Sequence, residues 1–252
     1  MRREIKRIGA VLFMAVVAFT PVAANAAFVL NDNFNSYSDG NLSGQGGWTA
    51  TAAAATPMQV AGGADKYVQL GTSGQDEYKA FSSVVAHNDG DSLATSLTLN
   101  VSAAQATGDY FSHLSDPAGT TTNFYQRLFA KSSGAGYVLG MLAASTGTPG
   151  YGTTVLNFNQ EYDIDVVWSF VTGLKNDTFD IKVDGGAYLA YVWDAASAAE
   201  PANIGAANLR QGNAANAATA QVDDYTVDSI VPEPASLGLL AMGALFAARR
   251  RK

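Results

Sequence analysis

The chain has 252 residues, no cysteine, and 15 Lys+Arg against 22 Asp+Glu, for a formal charge of −7. The absence of thiols excludes a disulfide scaffold, and the acidic balance makes nucleic acid and anionic lipid poor partners. A chain of this length can bury a large core in one domain without covalent staples.

Arg2, Arg3, Lys6 and Arg7 open the sequence, Ile8 to Phe19 form an apolar run, and Ala24-Asn25-Ala26 is a small-x-small site. That order predicts a secretory signal peptide over residues 1–26, cleaved after Ala26 so that the mature chain starts at Ala27. The apolar run is too short for a comfortable span, and Pro21 stops a helix where a peptidase needs extended chain.

Between residues 27 and 230 there are seven basic and 20 acidic residues, so this body alone carries −13. Its patterning has period two. Leu93, Thr95, Leu97, Leu99 and Val101 alternate with small polar residues, and Tyr162, Ile164, Val166, Trp168 and Phe170 repeat the pattern. Such alternation turns one face of a strand to a core. Further strands are predicted at 66–70, 78–85, 110–114, 124–131, 137–142, 178–183, 189–193 and 222–230, divided by turns such as Asn88-Asp89-Gly90 and Asp184-Gly185-Gly186. The Ala-rich stretch Ala195 to Asn208, interrupted by Pro201, is where a short helical piece is expected. Many short strands without helical crossovers predict an all-β, antiparallel two-sheet jelly-roll sandwich over residues 27–230.

The opening Asn31-Asp32-Asn33-Phe34-Asn35, followed by Tyr37, Asp39-Gly40-Asn41-Leu42 and Gly44-Gln45-Gly46-Gly47-Trp48, resembles the start of concanavalin A-like (laminin G-like) domains of bacterial surface proteins. Val222-Asp223-Asp224-Tyr225-Thr226-Val227 resembles their last strand. The resemblance implies that the first and last strands lie together, so both ends of the body leave from one part of the sandwich.

Glu161, Asp163 and Asp165 share one face of a strand, and jelly-roll glycoside hydrolases carry a similar Glu-x-Asp-x-Glu strand. Here the last position is Asp, and no Trp flanks the carboxylates within the strand. A solvated outer face explains them, and the chain is expected not to be an enzyme. Asp32, Asn35 and Asp39, joined by Asp223 if the terminal strands pair, are the oxygen ligands that calcium would use. Turn capping explains the same residues, so no cofactor is expected. His87 and His113 have no third His or Cys at ligand spacing, which argues against zinc or iron. The body's aromatics are expected to be mostly core, with some free to stack on sugar faces.

The chain closes on Pro232-Glu233-Pro234, an apolar run from Ala235 to Ala248, and Arg249, Arg250, Arg251 and Lys252. Some fourteen helical residues cover roughly 21 Å, short of the ~30 Å hydrocarbon core, so the run predicts a marginal membrane helix with its cations on the cytoplasmic side. This order resembles the PEP-CTERM sorting signal of bacterial exported proteins. The resemblance implies transient anchoring in the inner membrane by residues 231–252, processing by an exosortase-like enzyme, and release to the cell surface or extracellular matrix. Three functions are therefore open for the body: a non-catalytic surface component that binds extracellular polysaccharide, a secreted glycosidase using Glu161 and Asp165, or a protein-binding adhesive domain.

Overall fold

Period-two patterning becomes seventeen strands in the computed structural model, which describes residues 25–51, 57–71, 74–117, 123–194, 198–211 and 218–231. In chain order they are β1 (Asn25–Asp32), β2 (Gly40–Asn41), β3 (Trp48–Ala50), β4 (Gln59–Gly62), β5 (Lys66–Leu70), β6 (Gln75–Ala86), β7 (Ser92–Ala103), β8 (Asp109–Ser115) and β9 (Phe124–Ser133). They continue as β10 (Gly136–Leu142), β11 (Gly150–Tyr151), β12 (Leu156–Asn157), β13 (Glu161–Ser169), β14 (Thr178–Val183), β15 (Gly186–Val192), β16 (Asn203–Gln211) and β17 (Thr219–Val231). No helix occurs among the described residues.

The strands form two sheets. A nine-stranded sheet runs β15-β14-β13-β7-β17-β5-β4-β2 with β1 also on β17, and an eight-stranded sheet runs β11-β10-β9-β8-β16-β6-β3 with β12 on β10. Every pairing is antiparallel. The chain is thus an all-β, two-sheet antiparallel sandwich. Leu93, Leu97, Leu99 and Val101 of β7 and Tyr162, Ile164, Val166 and Trp168 of β13 turn inward and are buried. Burying each such side chain contributes roughly 1.5–3 kcal/mol. Trp168 stacks on Phe179 at 5.2 Å and lies 5.9 Å from Trp193.

β1 runs against β17 with Ala26 opposite Ile230 and Ala27 opposite Ser229. The first and last strands therefore meet, as expected. Asp32, at the end of β1, is buried and accepts hydrogen bonds from the Phe34 amide at 3.0 Å, the Tyr37 hydroxyl at 2.5 Å, the Trp48 indole at 2.7 Å and the Lys79 ammonium at 2.8 Å.

Of the stretch expected to hold a short helical piece, Asn203 to Asn208 instead form the start of β16, and residues 195–197 lie outside the described residues. β16 lies between β8 and β6 with side chains buried on both faces, so it shows no alternation, and its alanines fit a crowded central position. The predicted signal peptide through residue 24 and the tail from residue 232 lie outside the described residues. Among the described residues no helix is long and apolar enough to cross a membrane.

Candidate functional site

The outer face of the eight-stranded sheet carries a strip in which cations and aromatic rings interleave. Two backbone irregularities in β8, between Tyr110 and Ser112 and between Ser112 and Leu114, break its alternation. Phe111 and Leu114 join the main core, while Tyr110 packs on the other side with Phe129 and Leu142. In β9 the positive φ of Gln126, 46°, turns that side chain inward to Thr95. Gly140 of β10 leaves room for the Tyr151 ring, which a Cβ there would meet at 2.5 Å.

Arg127 and Arg210 hold their guanidinium carbons 3.8 Å and 4.1 Å from the Tyr110 centroid, so this ring is in contact with two cations. Lys131 stands 5.0 Å from the Tyr151 centroid. Three of the seven cations between residues 27 and 230 meet on this strip, including both arginines of that stretch. The His113 ring packs against Phe124 at 4.6 Å and Tyr110 at 5.4 Å. Phe129 extends the aromatic surface to Tyr151, 6.3 Å away.

Hydrogen bonding on this face is incomplete. Both ring nitrogens of His113, Arg127 Nε, Asn208 Oδ1 and Asp76 Oδ1 are buried without a partner, although buried polar atoms are normally paired. Asn208 is the cross-strand neighbour of both His113 and Tyr78, and its amide donates to Ser115 Oγ at 2.9 Å. Arg127 Nη1 donates to the Ser145 carbonyl at 3.2 Å, and Arg210 Nη1 meets Asp109 Oδ1 at 3.5 Å. Burial, with Arg127 and Arg210 adding to it, holds the His113 imidazole well below its ordinary value and keeps it neutral. Burial pushes the Asp76 carboxyl up to about 6 against the pull of Arg210. A guanidinium pair matches the planar geometry of carboxylates, and flat rings match the apolar faces of sugars.

The residues singled out by sequence lie elsewhere. Glu161, Asp163 and Asp165 share the outer face of the nine-stranded sheet, as their spacing predicted. Asp165 accepts from Ser96 at 2.6 Å and Asp163 from Thr98 at 3.3 Å. Glu161 borders a shallow depression with Asp65, Tyr67, Thr98, Asn100 and Asp223. The oxygen ligands considered for calcium are dispersed. Asp32 is the internal hub, Asn35 Oδ1 accepts the Lys66 amide at 2.7 Å, Asp39 pairs with the Lys66 ammonium at 2.5 Å, and Asp223 lies on the outer face. Ala26 and Ala27 lie in β1, whereas Ala24, Pro232, Glu233, Pro234, Arg249, Arg250 and Arg251 fall outside the described residues. Sequence reading missed Arg127, Arg210, Tyr110 and Asn208 as a site. The scarcity of arginine in an acidic body was the one available signal.

Residues 231–252 match the family described as the PEP-CTERM protein-sorting motif. The tail is a PEP-CTERM sorting signal. No curated protein matches the sequence. The sandwich preceding the PEP-CTERM tail is similar to solved structures at low identity. A double mutant of alginate lyase Aly36B in complex with alginate tetrasaccharide is 15% identical with a TM-score of 0.52, over 79% of this chain and 95% of that one. The CBM2 module of the evolved Dit of Lactobacillus casei BL23 phage J-1 is 12% identical with a TM-score of 0.50, over 83% and 98%. A carbohydrate esterase of the Shiga toxin-encoding bacteriophage phi24B is 12% identical with a TM-score of 0.51, over 82% and 99%. At these identities the likeness establishes the sandwich fold of the body alone.

Proposed function

We propose that this is an exported, non-catalytic cell-surface or matrix protein whose jelly-roll, concanavalin A-like body binds acidic polysaccharide on the outer face of the eight-stranded sheet. The PEP-CTERM tail supports export to the cell envelope and processing by an exosortase, with transient inner-membrane anchoring by its apolar run. One observation carries the ligand class: both arginines of a body charged at −13 converge on the Tyr110 ring. A surface this acidic repels polyanions at long range, so a local cationic strip serves recognition of a carboxylate-bearing sugar at contact distance. Carbohydrate-related structures among the fold neighbours fit this reading.

Affinity electrophoresis of the exported protein through gels holding a polyuronate or a neutral glucan tests it. Retardation by the polyuronate, lost in the Arg127→Ala/Arg210→Ala variant, is expected. Equal retardation by the neutral glucan, or none by either, would overturn it.

A second reading, eliminative cleavage, has one observation in its favour. Neutral His113, buried with both ring nitrogens unpartnered and packed against Tyr110 and Phe124, would take a proton from the carbon next to a sugar carboxylate once a bound sugar opens that packing. Unsaturated sugar ends appearing by ultraviolet absorbance, and vanishing in His113→Gln, would replace binding by cleavage.

A further inference from the structure

No spacing in the sequence links His87 to other ligands, yet the fold brings three separate segments to it. His87 follows β6, Asp177 precedes β14, and Glu200 precedes β16. Nε2 of His87 lies 2.6 Å from Asp177 Oδ2, and the ligand atoms of His87, Asp177 and Glu200 all lie within 4.8 Å of one another. Asp177 has no exposed surface. Its carboxylate is fixed by the Val171 amide at 2.8 Å on Oδ1 and the Trp168 indole at 2.6 Å on Oδ2. The His87 ring is held against Phe170 at 4.3 Å, and Glu200 Oε1 accepts the Asn176 amide at 3.2 Å. One imidazole and two carboxylates, two of the three steered by neighbouring groups, make the donor set of a metal site with oriented ligands.

We propose that His87, Asp177 and Glu200 bind a borderline divalent cation of the zinc class, with water completing a tetrahedron. Bond lengths of about 2.0–2.2 Å place ligand atoms roughly 3.4 Å apart in such a site. His87 Nε2 and Asp177 Oδ2, at 2.6 Å, part by less than about 1 Å to admit the ion, and a turn of the partly exposed Glu200 side chain closes the set. The ion takes the place of the proton now shared between Nε2 and Oδ2, and the Trp168 and Val171 donors stay on Asp177. Three ligands including an imidazole suit zinc, whereas calcium requires six to eight oxygens. The bound ion ties the segments around residues 87, 177 and 200 together at one end of the sandwich.

Calorimetric titration of the chelator-treated exported protein with zinc chloride, paired with thermal melts and tryptophan fluorescence, tests the site. One zinc per chain, a rise in melting temperature and a change in indole emission are expected, because Trp168 is bonded to a ligand. Glu200→Gln leaves the His87–Asp177–Trp168 bonds intact. It should keep the zinc-free melting temperature while weakening zinc binding about tenfold or more. No heat and no thermal shift with zinc, unaltered zinc affinity in Glu200→Gln, or equal binding of calcium would each overturn the proposal.

Discussion

Arg210 and Asp76 are direct cross-strand partners in β16 and β6. Asp76 is therefore an internal anion beside one of the two guanidiniums proposed to receive a sugar carboxylate. Its carboxyl titrates at about 6 because burial disfavours the charge. Protonation below that value removes one internal competitor and leaves Asp109 as the other, while ordinary sugar carboxylates remain ionised. Polyuronate retardation should strengthen several-fold as pH falls from about 7.5 to about 5.5. Asp76→Asn should flatten that profile at its high-affinity end, and affinity electrophoresis across the range checks both.

Glu77, the next residue, faces the interior. Its Oε1 accepts the Met58 amide at 2.8 Å while Oε2 has no partner. Burial pushes the carboxyl up to about 7 from an ordinary 4.5, with the charge of Asp76 adding and the Met58 bond opposing. A carboxyl whose folded value is raised favours folding at low pH, and that contribution disappears as pH rises through about 7. Glu77→Gln should be nearly neutral at pH 5 and stabilising by on the order of 1–2 kcal/mol at pH 8, read from urea midpoints.

Removal of the Asp32 carboxylate strands the buried donors of Trp48 and Tyr37 and the ammonium of Lys79. Asp32→Ala should cost about 3–5 kcal/mol in urea unfolding. Asp39→Ala, whose carboxylate meets Lys66 at the exposed surface, should cost no more than about 1 kcal/mol. Equal losses would contradict the hub role.

A methyl group on Gly140 displaces the Tyr151 ring from its place beside Phe129 and Lys131. Gly140→Ala should lower stability by about 1–3 kcal/mol and weaken polyuronate binding together. Thermal melts and gel retardation of the same sample follow the two effects.

Strands of both sheets were legible in sequence, but which way their side chains face was legible only in the sheet with a solvated face. β7 and β13 bury Leu97 and Ile164, while Thr98 is half-buried and Asp163 exposed, so their alternation survives in the residue types. β8, β10 and β16 carry buried side chains on both faces, packed among one another on the outer one, and bulges in β8 and β16 shift the alternation partway along. Period two is erased there, and in β16 it leaves an Ala-rich run, so the stretch from Ala195 to Asn208 offered a short helical piece rather than a strand. The cation strip was hidden by the same effect, since Tyr110, His113 and Arg127 share a face only because the backbone breaks register between them. Asp177 and Glu200 were invisible as neighbours of His87, because loop ends from three distant segments meet only in the finished fold.

β17 sits inside the nine-stranded sheet, bonded to β7, β5 and β1, and it ends one residue before the sorting tripeptide. The last stretch of the body to emerge during export is thus an interior strand of one whole layer. Until it arrives, β7 and β5 each keep an open edge, and the sandwich cannot close around partial chain. The sorting tripeptide is therefore joined directly to the strand that completes the fold, so the chain it follows holds every strand of the sandwich.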